Sequence, residues 1–589
     1  MSDITQADPG GLFCAQVVRT RILLGGMLML LAVDVLAVEE FKTPQQVENE
    51  SAPVEVEIEG AERLREKVID PQSPVLIESL NAIVIHPASE FVQVPAAEVQ
   101  GIQIDDDNLF RDSSVFKAML ERYLGKPLSV SELDYLVSEI IVHYRERDYP
   151  LVDVALPEQD ITEGVLQIVV VEAEIGNVAV TGNRYFSDDF IKGAMTTREG
   201  DKPHISTVYE DVNWLSKNPY LRVQPVFGEG EEEGTTDMFL QAEDAYPMRV
   251  YTSYSNAGND LIGKDQYSVG MNYGNLWGVG HQVNYQFTQA RNADFLNSHA
   301  VSYLAPLPWR HDFTVTASRT RTEAAEDVLD VSGKSDEAAA VYSVPLTSST
   351  RYSHGVSLGL EWKRSKNALE FGVQPVLGTV VELGQFVLSY NGEFGYAMGK
   401  NAFNLAFVKS SQGLFDEHND EAFQEARQGS EASYSIGRLA WEHSMNLPYQ
   451  LAMVNSLTLQ GASTNLVSNE QFYPTGANAV RGYDPGLFSN VDRGLLVRND
   501  FYSPPFSLAQ VDNWRLLVFL DHAKFSAHSG SVSTPTGAAD EAEVSSAGFG
   551  FRMKIKKNLT VNADYGFQLK DVGAPDKNER AHVKVSLQY

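Results

Sequence analysis

The chain has 589 residues and a formal net charge of −33, which sets aside nucleic acid as a partner. Hydrophobic residues make up 43%, too many for a disordered acidic tail, and the single cysteine, Cys14, excludes an internal disulfide framework. The 12 histidines are scattered without metal-ligand spacing. Neither a glycine-rich phosphate loop nor a nucleophile elbow occurs, so no catalytic, cofactor or metal residue is assigned and no enzyme activity is expected.

The only long apolar run is Ile22 to Val33, preceded by Arg19 and Arg21 and followed by Val35-Leu36-Ala37. A basic flank, a short apolar core and a small-residue exit predict a secretory signal peptide over 1–37. The core is short for a membrane-spanning helix, and Asp34 would sit in lipid. Residues 38–90 are rich in proline and glutamate and read as a linker. Within it, Gly60 to Val68 is a short helix candidate with Ala61, Leu64 and Val68 on one face.

Residues 91–172 read as one small α/β module. Gly101 to Ile104 is its first strand candidate, and Ser113 to Tyr123 and Ser129 to Arg147 have helical spacing, the latter capped by Ser129 or Ser131. Two strands follow, Val152 to Leu156 and the apolar Val165 to Val171. Residues 173–246 repeat the plan: a strand at Ile175 to Val180, helices at Ser187 to Met195 and Ser206 to Leu215, then strands at Leu221 to Phe227 and Thr236 to Ala242.

From 247 to 589 the hydrophobic period switches to two. The final residues, Ala581 to Tyr589, place Val583, Val585, Leu587 and Tyr589 on one face and His582, Lys584, Ser586 and Gln588 on the other. No apolar 20-mer occurs in this region. Such a region is either soluble or a closed barrel, because lipid admits only helices and closed barrels, in which every backbone polar group is paired internally. A soluble β-sandwich would alternate too, but it has no need of lysine, aspartate and glutamine on a face packed against a core, so a transmembrane antiparallel β-barrel is expected. Outer loops are expected at 322–338, 411–433, 467–492, 526–545 and 570–580, and short inner turns at 276–280, 306–311 and 446–450.

Two motifs lie in the barrel region. The first is Glu470 to Gly486, with Val480-Arg481-Gly482-Tyr483 at its centre, followed by Asp492-Arg493-Gly494. The second is Trp514 to Phe525, in which Leu517, Phe519, Asp521 and Ala523 share one strand face while Leu516, Val518 and Leu520 face lipid. Asp521 then faces the lumen, where an unpaired carboxylate is costly and an arginine offers a rigid bidentate partner. Arg481 is the candidate, and Gly482 would let the loop backbone turn sharply.

Together these stretches resemble the signature loop and the Phe-x-Asp-x-Gly strand of the outer-membrane transporters of two-partner secretion, also called the hemolysin secretion/activation family. That family belongs to a superfamily shared with outer-membrane insertases. Ala523 stands where the family usually has glycine. The tract Ala155 to Glu172 is similar to the close of that family's first polypeptide-transport-associated (POTRA) domain. Arg145-Glu146-Arg147-Asp148-Tyr149 stands where Arg-Gly-Tyr is usual, with Asp148 in the glycine position.

The resemblance implies two α+β POTRA domains in the periplasm, at 91–172 and 173–246, followed by a barrel of about 16 strands. It implies that the 60–68 helix plugs the pore, although a tether helix fits those residues equally well. It implies that the loop folds back into the barrel, with Val480, Arg481, Gly482, Tyr483, Phe519 and Asp521 forming its lock. The implied function is translocation of a partner exoprotein across the outer membrane of a Gram-negative-type bacterium. The POTRA domains would recognise the cargo, outer-membrane lipid would surround the barrel, and the strand ending at Tyr589 would address the barrel-assembly machinery. Two alternatives remain open at this point: a barrel assembly or insertion factor, and a passive porin or receptor.

Overall fold

The computed structural model describes residues 70–93, 99–232, 234–259, 263–326, 329–346, 352–371, 374–508, 511–556, 558–573 and 578–589. The expected signal peptide, the 60–68 helix and most of the expected linker lie outside these residues. Two compact units meet in sequence at Tyr246 and Pro247.

The first unit holds both small modules. In the first module the sheet runs, in spatial order, Gly101–Ile104, Ala82–His86, Val165–Glu172, Val152–Ala155. Its two helices are Ser114–Glu121 and Val130–Arg145. Ser129 starts the second helix with a capping box, its hydroxyl accepting from Glu132 N while the Glu132 carboxylate accepts from Ser129 N. Leu136, Ile140 and Tyr144, one helical stripe, meet Ile83, Ile85 and Ile168 of the sheet in a common core.

The linker boundary at 90 needs correction. Ala82–His86 is buried along its whole length and pairs in parallel with both Val165–Glu172 and Gly101–Ile104. Val75–Ile77 also pairs with Leu128–Ser129. The apolar Ala82-Ile83-Val84-Ile85 run is a sheet-interior strand, which the surrounding prolines and glutamates disguise. In the second module Glu174–Thr181 runs parallel to the last strand, Thr235–Asp244, and Leu221–Glu229 runs antiparallel to it. Its counterpart in the first module is therefore Ala82–His86, and Gly101–Ile104 is an added edge strand. The helices of the second module are Asp188–Ala194, with Ser187 as N-cap, and Ile205–Ser216.

The second unit is a closed antiparallel barrel of sixteen long strands, with the short segment Phe506–Leu508 as an extra turn of pairing. Closure comes from the first strand, Met248–Ser255, pairing with the last, Glu579–Gln588. Alternation sorts the faces as the period-two pattern requires: Leu516, Val518 and Leu520 are exposed on the outer wall, while Leu517, Phe519, Asp521 and Ala523 are buried. The three expected inner turns fall between consecutive strands.

The expected outer loop at 322–338 is instead strand. Asp312–Glu326 and Leu329–Pro345 pair through it, and the next hairpin, Tyr352–Phe371 with Gln374–Tyr396, is longer still at 20 and 23 residues. An apolar band of about 25 Å takes roughly 10 tilted residues, so these hairpins extend well beyond it. A polar hairpin in water satisfies its own backbone, and polarity alone does not separate it from a loop.

Candidate functional site

A connection between strands normally lies on the surface, since loop backbone needs water. The segment 463–492, between strands Ala452–Ala462 and Arg493–Tyr502, departs from this: only Ser463 and Asn478 in it are exposed. It folds back into the barrel and touches inner-wall residues of many strands.

At its tip Thr475 and Val480 form a bridge, and Val480 N donates to the Pro474 carbonyl at 3.1 Å. This presents Arg481, which is fully buried. Its Nε and Nη2 donate to Asp521 Oδ2 and Oδ1, both at 2.7 Å, and its backbone N–H reaches Oδ2 at 3.1 Å. The carboxylate is thereby gripped by three donors, two of them a rigid fork. The guanidinium carbon lies 3.6 Å from the centre of the Phe519 ring, a desolvated cation–π contact on the same strand.

Two further aspartates complete the setting. Arg481 Nη2 also contacts Asp500 Oδ1 at 2.5 Å, and Nη1 lies 3.5 Å from Asp564 Oδ2. Asp564 is itself forked by Arg552 at 2.6 and 2.9 Å, and Arg498 Nε stands 3.9 Å from Asp521. Three arginines thus face three aspartates, so the cluster is electrically balanced only with the loop docked.

Gly482 has φ +89 and donates to His582 Nε2 at 3.3 Å. A Cβ on it would sit 2.9 Å from the Gly566 backbone, and a Cβ on Gly566 would lie 2.6 Å from Gly482 N. Both glycines are needed for this backbone-to-backbone approach. Gly566→Ala is therefore expected to leave the barrel closed but displace the loop tip, as overpacking costs about 1–3 kcal/mol. Faster protease cleavage near Asn478, with unchanged heat-modifiable migration of the barrel, checks this; unchanged cleavage counts against it.

Tyr483 is buried and its hydroxyl lies 2.9 Å from the Ser545 carbonyl and 2.8 Å from that of Lys570. Val480 and Tyr483 pack with Phe472, Phe488, Ala523 and Phe525 in one cluster against the inner wall. All six expected lock residues are thus brought together.

The residue-type reasoning missed a second anchor at the base of the same loop. Glu470 is fully buried, with Lys363 Nζ 2.7 Å from Oε1 and Arg438 Nη2 2.9 Å from Oε2. Gln385 Nε2 also donates to Oε1 at 3.3 Å, and Gln460 Nε2 to the Glu470 carbonyl at 2.9 Å. These partners come from four strands between residues 352 and 462. At the loop's exit, Arg427 forks Asp492 at 2.5 and 2.9 Å, and Asp492 accepts from the backbone N–H groups of Leu466 and His528. Arg427 follows the helix Asp420–Ala426 in the neighbouring loop. Every one of these contacts is ionic, hydrogen-bonded or van der Waals, so the loop is held by noncovalent contacts.

The sequence matches the family described as haemolysin secretion/activation protein ShlB/FhaC/HecB over residues 234–553, and the ShlB-type POTRA domain over 97–173. It is 22% identical to the heme/hemopexin transporter protein HuxB of Haemophilus influenzae, over 83% of this chain and 86% of that one. It is also 22% identical to the outer membrane transporter CdiB of Dickeya dadantii, over 78% of this chain and 82% of the relative. Among solved structures, CdiB from Escherichia coli shares the fold with a TM-score of 0.71 at 16% identity, covering 100% of both chains.

Proposed function

The chain belongs to the haemolysin secretion/activation protein family, and from that premise we propose how this outer-membrane transporter of two-partner secretion handles its cargo. The POTRA modules receive an extended segment of the secreted partner protein by strand addition. Among the described residues the sheets end on Gly101–Ile104 and Val152–Ala155 in one and on Glu174–Thr181 and Leu221–Glu229 in the other. Main-chain hydrogen bonds along such an edge give affinity without a catalytic residue.

The pore is closed at rest by the loop 463–492 and opens when its ionic anchors let go. Folding of the emerged chain outside the cell gives the movement its direction. The last strand, with Leu587 and Tyr589 exposed on the lipid side, serves as the address read by the barrel-assembly machinery. The observation that carries this reading is the buried loop: an open porin would have no use for a connection held by three separate charge clusters.

Deleting residues 70–246 tests the assignment of cargo recognition. Export is expected to fall to background while the barrel still inserts and migrates as a folded species before boiling. In detergent, the intact chain is expected to retain the amino-terminal part of its partner in a pull-down, and the deletion to lose it. Full export without the two modules would instead favour a porin or an insertase.

A further inference from the structure

Asp148 ends the first module's helical region with φ +74, a backbone that glycine takes without strain and an aspartate only at some cost. What it touches lies in the second module. The helix Ile205–Ser216 starts from His204, whose side chain makes no capping hydrogen bond. The cap comes from Asp148. Its carbonyl accepts from Ile205 N at 3.1 Å, its Oδ1 accepts from Ser206 N at 2.9 Å, and its Oδ2 takes the Ser206 hydroxyl. A carboxylate there also meets the positive end of the helix dipole.

Neighbouring groups brace the same joint. The Tyr149 ring lies 4.4 Å from that of His204, with the hydroxyl 3.0 Å from Nε2, and His204 Nδ1 stands 3.5 Å from Asp148 Oδ2. On the strand side, Lys202 Nζ reaches Glu172 Oε2 at 2.8 Å, while Glu172 Oε1 accepts from Leu109 N and the Tyr144 hydroxyl. Covalently the modules are joined through Ala173 alone, between strands ending at Glu172 and starting at Glu174. One residue keeps the modules close, but its two backbone torsions leave their mutual rotation open.

We propose that Asp148 is a positioning residue that caps the second module's helix from within the first module, so that the two modules turn as one body. Resting on the strand-addition reading above, this coupling presents the edge strands of both sheets to the exported chain in a fixed relation. A glycine at 148 would keep the backbone turn and lose the coupling; asparagine would keep both, since it tolerates the left-handed region and its side-chain oxygen can accept from Ser206 N.

The test uses the full-length protein in detergent, in a Cys14→Ser background, with spin labels at Ala118→Cys and Asp189→Cys, one on each module. The parent is expected to give a single narrow distance distribution. Asp148→Gly should at least double its width without unfolding, because glycine is at ease at this φ. Asp148→Asn should stay close to the parent. An unchanged width in Asp148→Gly would overturn the proposal. Equal broadening by asparagine and glycine would assign the effect to charge against His204 and overturn the capping assignment. Export of the partner, measured in the same variants, should fall several-fold with glycine and recover with asparagine. A doubled width with undiminished export would uphold the cap and sink the docking reading on which its purpose rests.

Discussion

Arg481→Ala is expected to reduce export of the partner more than barrel assembly, because a loop that cannot redock no longer cycles between the closed and the open pore, while the barrel remains inserted and heat-modifiable. The substitution leaves Asp521, Asp500 and Asp564 facing one another with only Arg498 and Arg552 as counter-charges. Asp521 has no exposed surface, and stripping the partner from such a buried pair costs about 3–5 kcal/mol. The loop escapes that cost by undocking, which lets water reach the carboxylates. The pore should then conduct more, and the segment around Asn478 should become sensitive to protease. In the Arg481→Ala, Asp521→Ala double variant the loss of docking should be smaller than the sum of the single losses, since both remove one interaction. Additive effects on docking and export would mean that the contact in the lock contributes nothing to either.

The second large effect is expected at Glu470. Glu470→Gln keeps the shape and removes the carboxylate that pairs both Lys363 and Arg438, leaving Lys363 with its longer contact to Glu361 at 3.4 Å. Two cations would then share an amide that offers one oxygen, in a site closed to solvent on the carboxylate side. The loop base should lift, raising single-channel conductance several-fold even though the Arg481 lock is intact. Pairing it with Lys363→Met should pull conductance back toward the parent, because removing both partners of a buried interaction leaves less unpaired charge than removing one. Conductance unchanged by Glu470→Gln would show that the loop is held at its tip alone. The two anchors can therefore be separated experimentally, one controlling the tip and the other the base.

Much of this was legible because strand alternation and motif agree. The face carrying Asp521 follows from period two, and a carboxylate on a lumen-facing position calls for a cation; it was the resemblance of the Val480–Tyr483 motif to the family's loop that singled out Arg481 as that cation. The Glu470 anchor left no such trace. Lys363 and Arg438 read as ordinary charges on barrel strands, and Lys363 is separated from Glu470 by 107 positions in sequence. Asp500 and Asp564 were equally silent, since a single charge on an alternating strand says nothing about what the lumen contains. Ala82–His86 is a different case: its four apolar residues, Ala82 to Ile85, stand in an acidic and proline-rich neighbourhood that outweighed them. Asp148 shows the value of a departure from pattern. A position that resembled glycine carried aspartate, and only the fold revealed that its carboxylate serves another module's helix.

The spread of the loop's contacts also sets an order of events during biogenesis. Lys363 lies near the middle of the chain, Asp521 on a late strand, and His582 on the last one. A nascent sheet lacking its final strands has no complete cradle for residues 470–492, so the loop is expected to seat only after the first and last strands have met. Contacts of such long sequence separation form late and scarcely speed folding; they slow unfolding instead. Seating of the loop is thus a completion signal. A barrel that has failed to close is expected to leave residues 470–492 unseated, whereas one that has closed buries them.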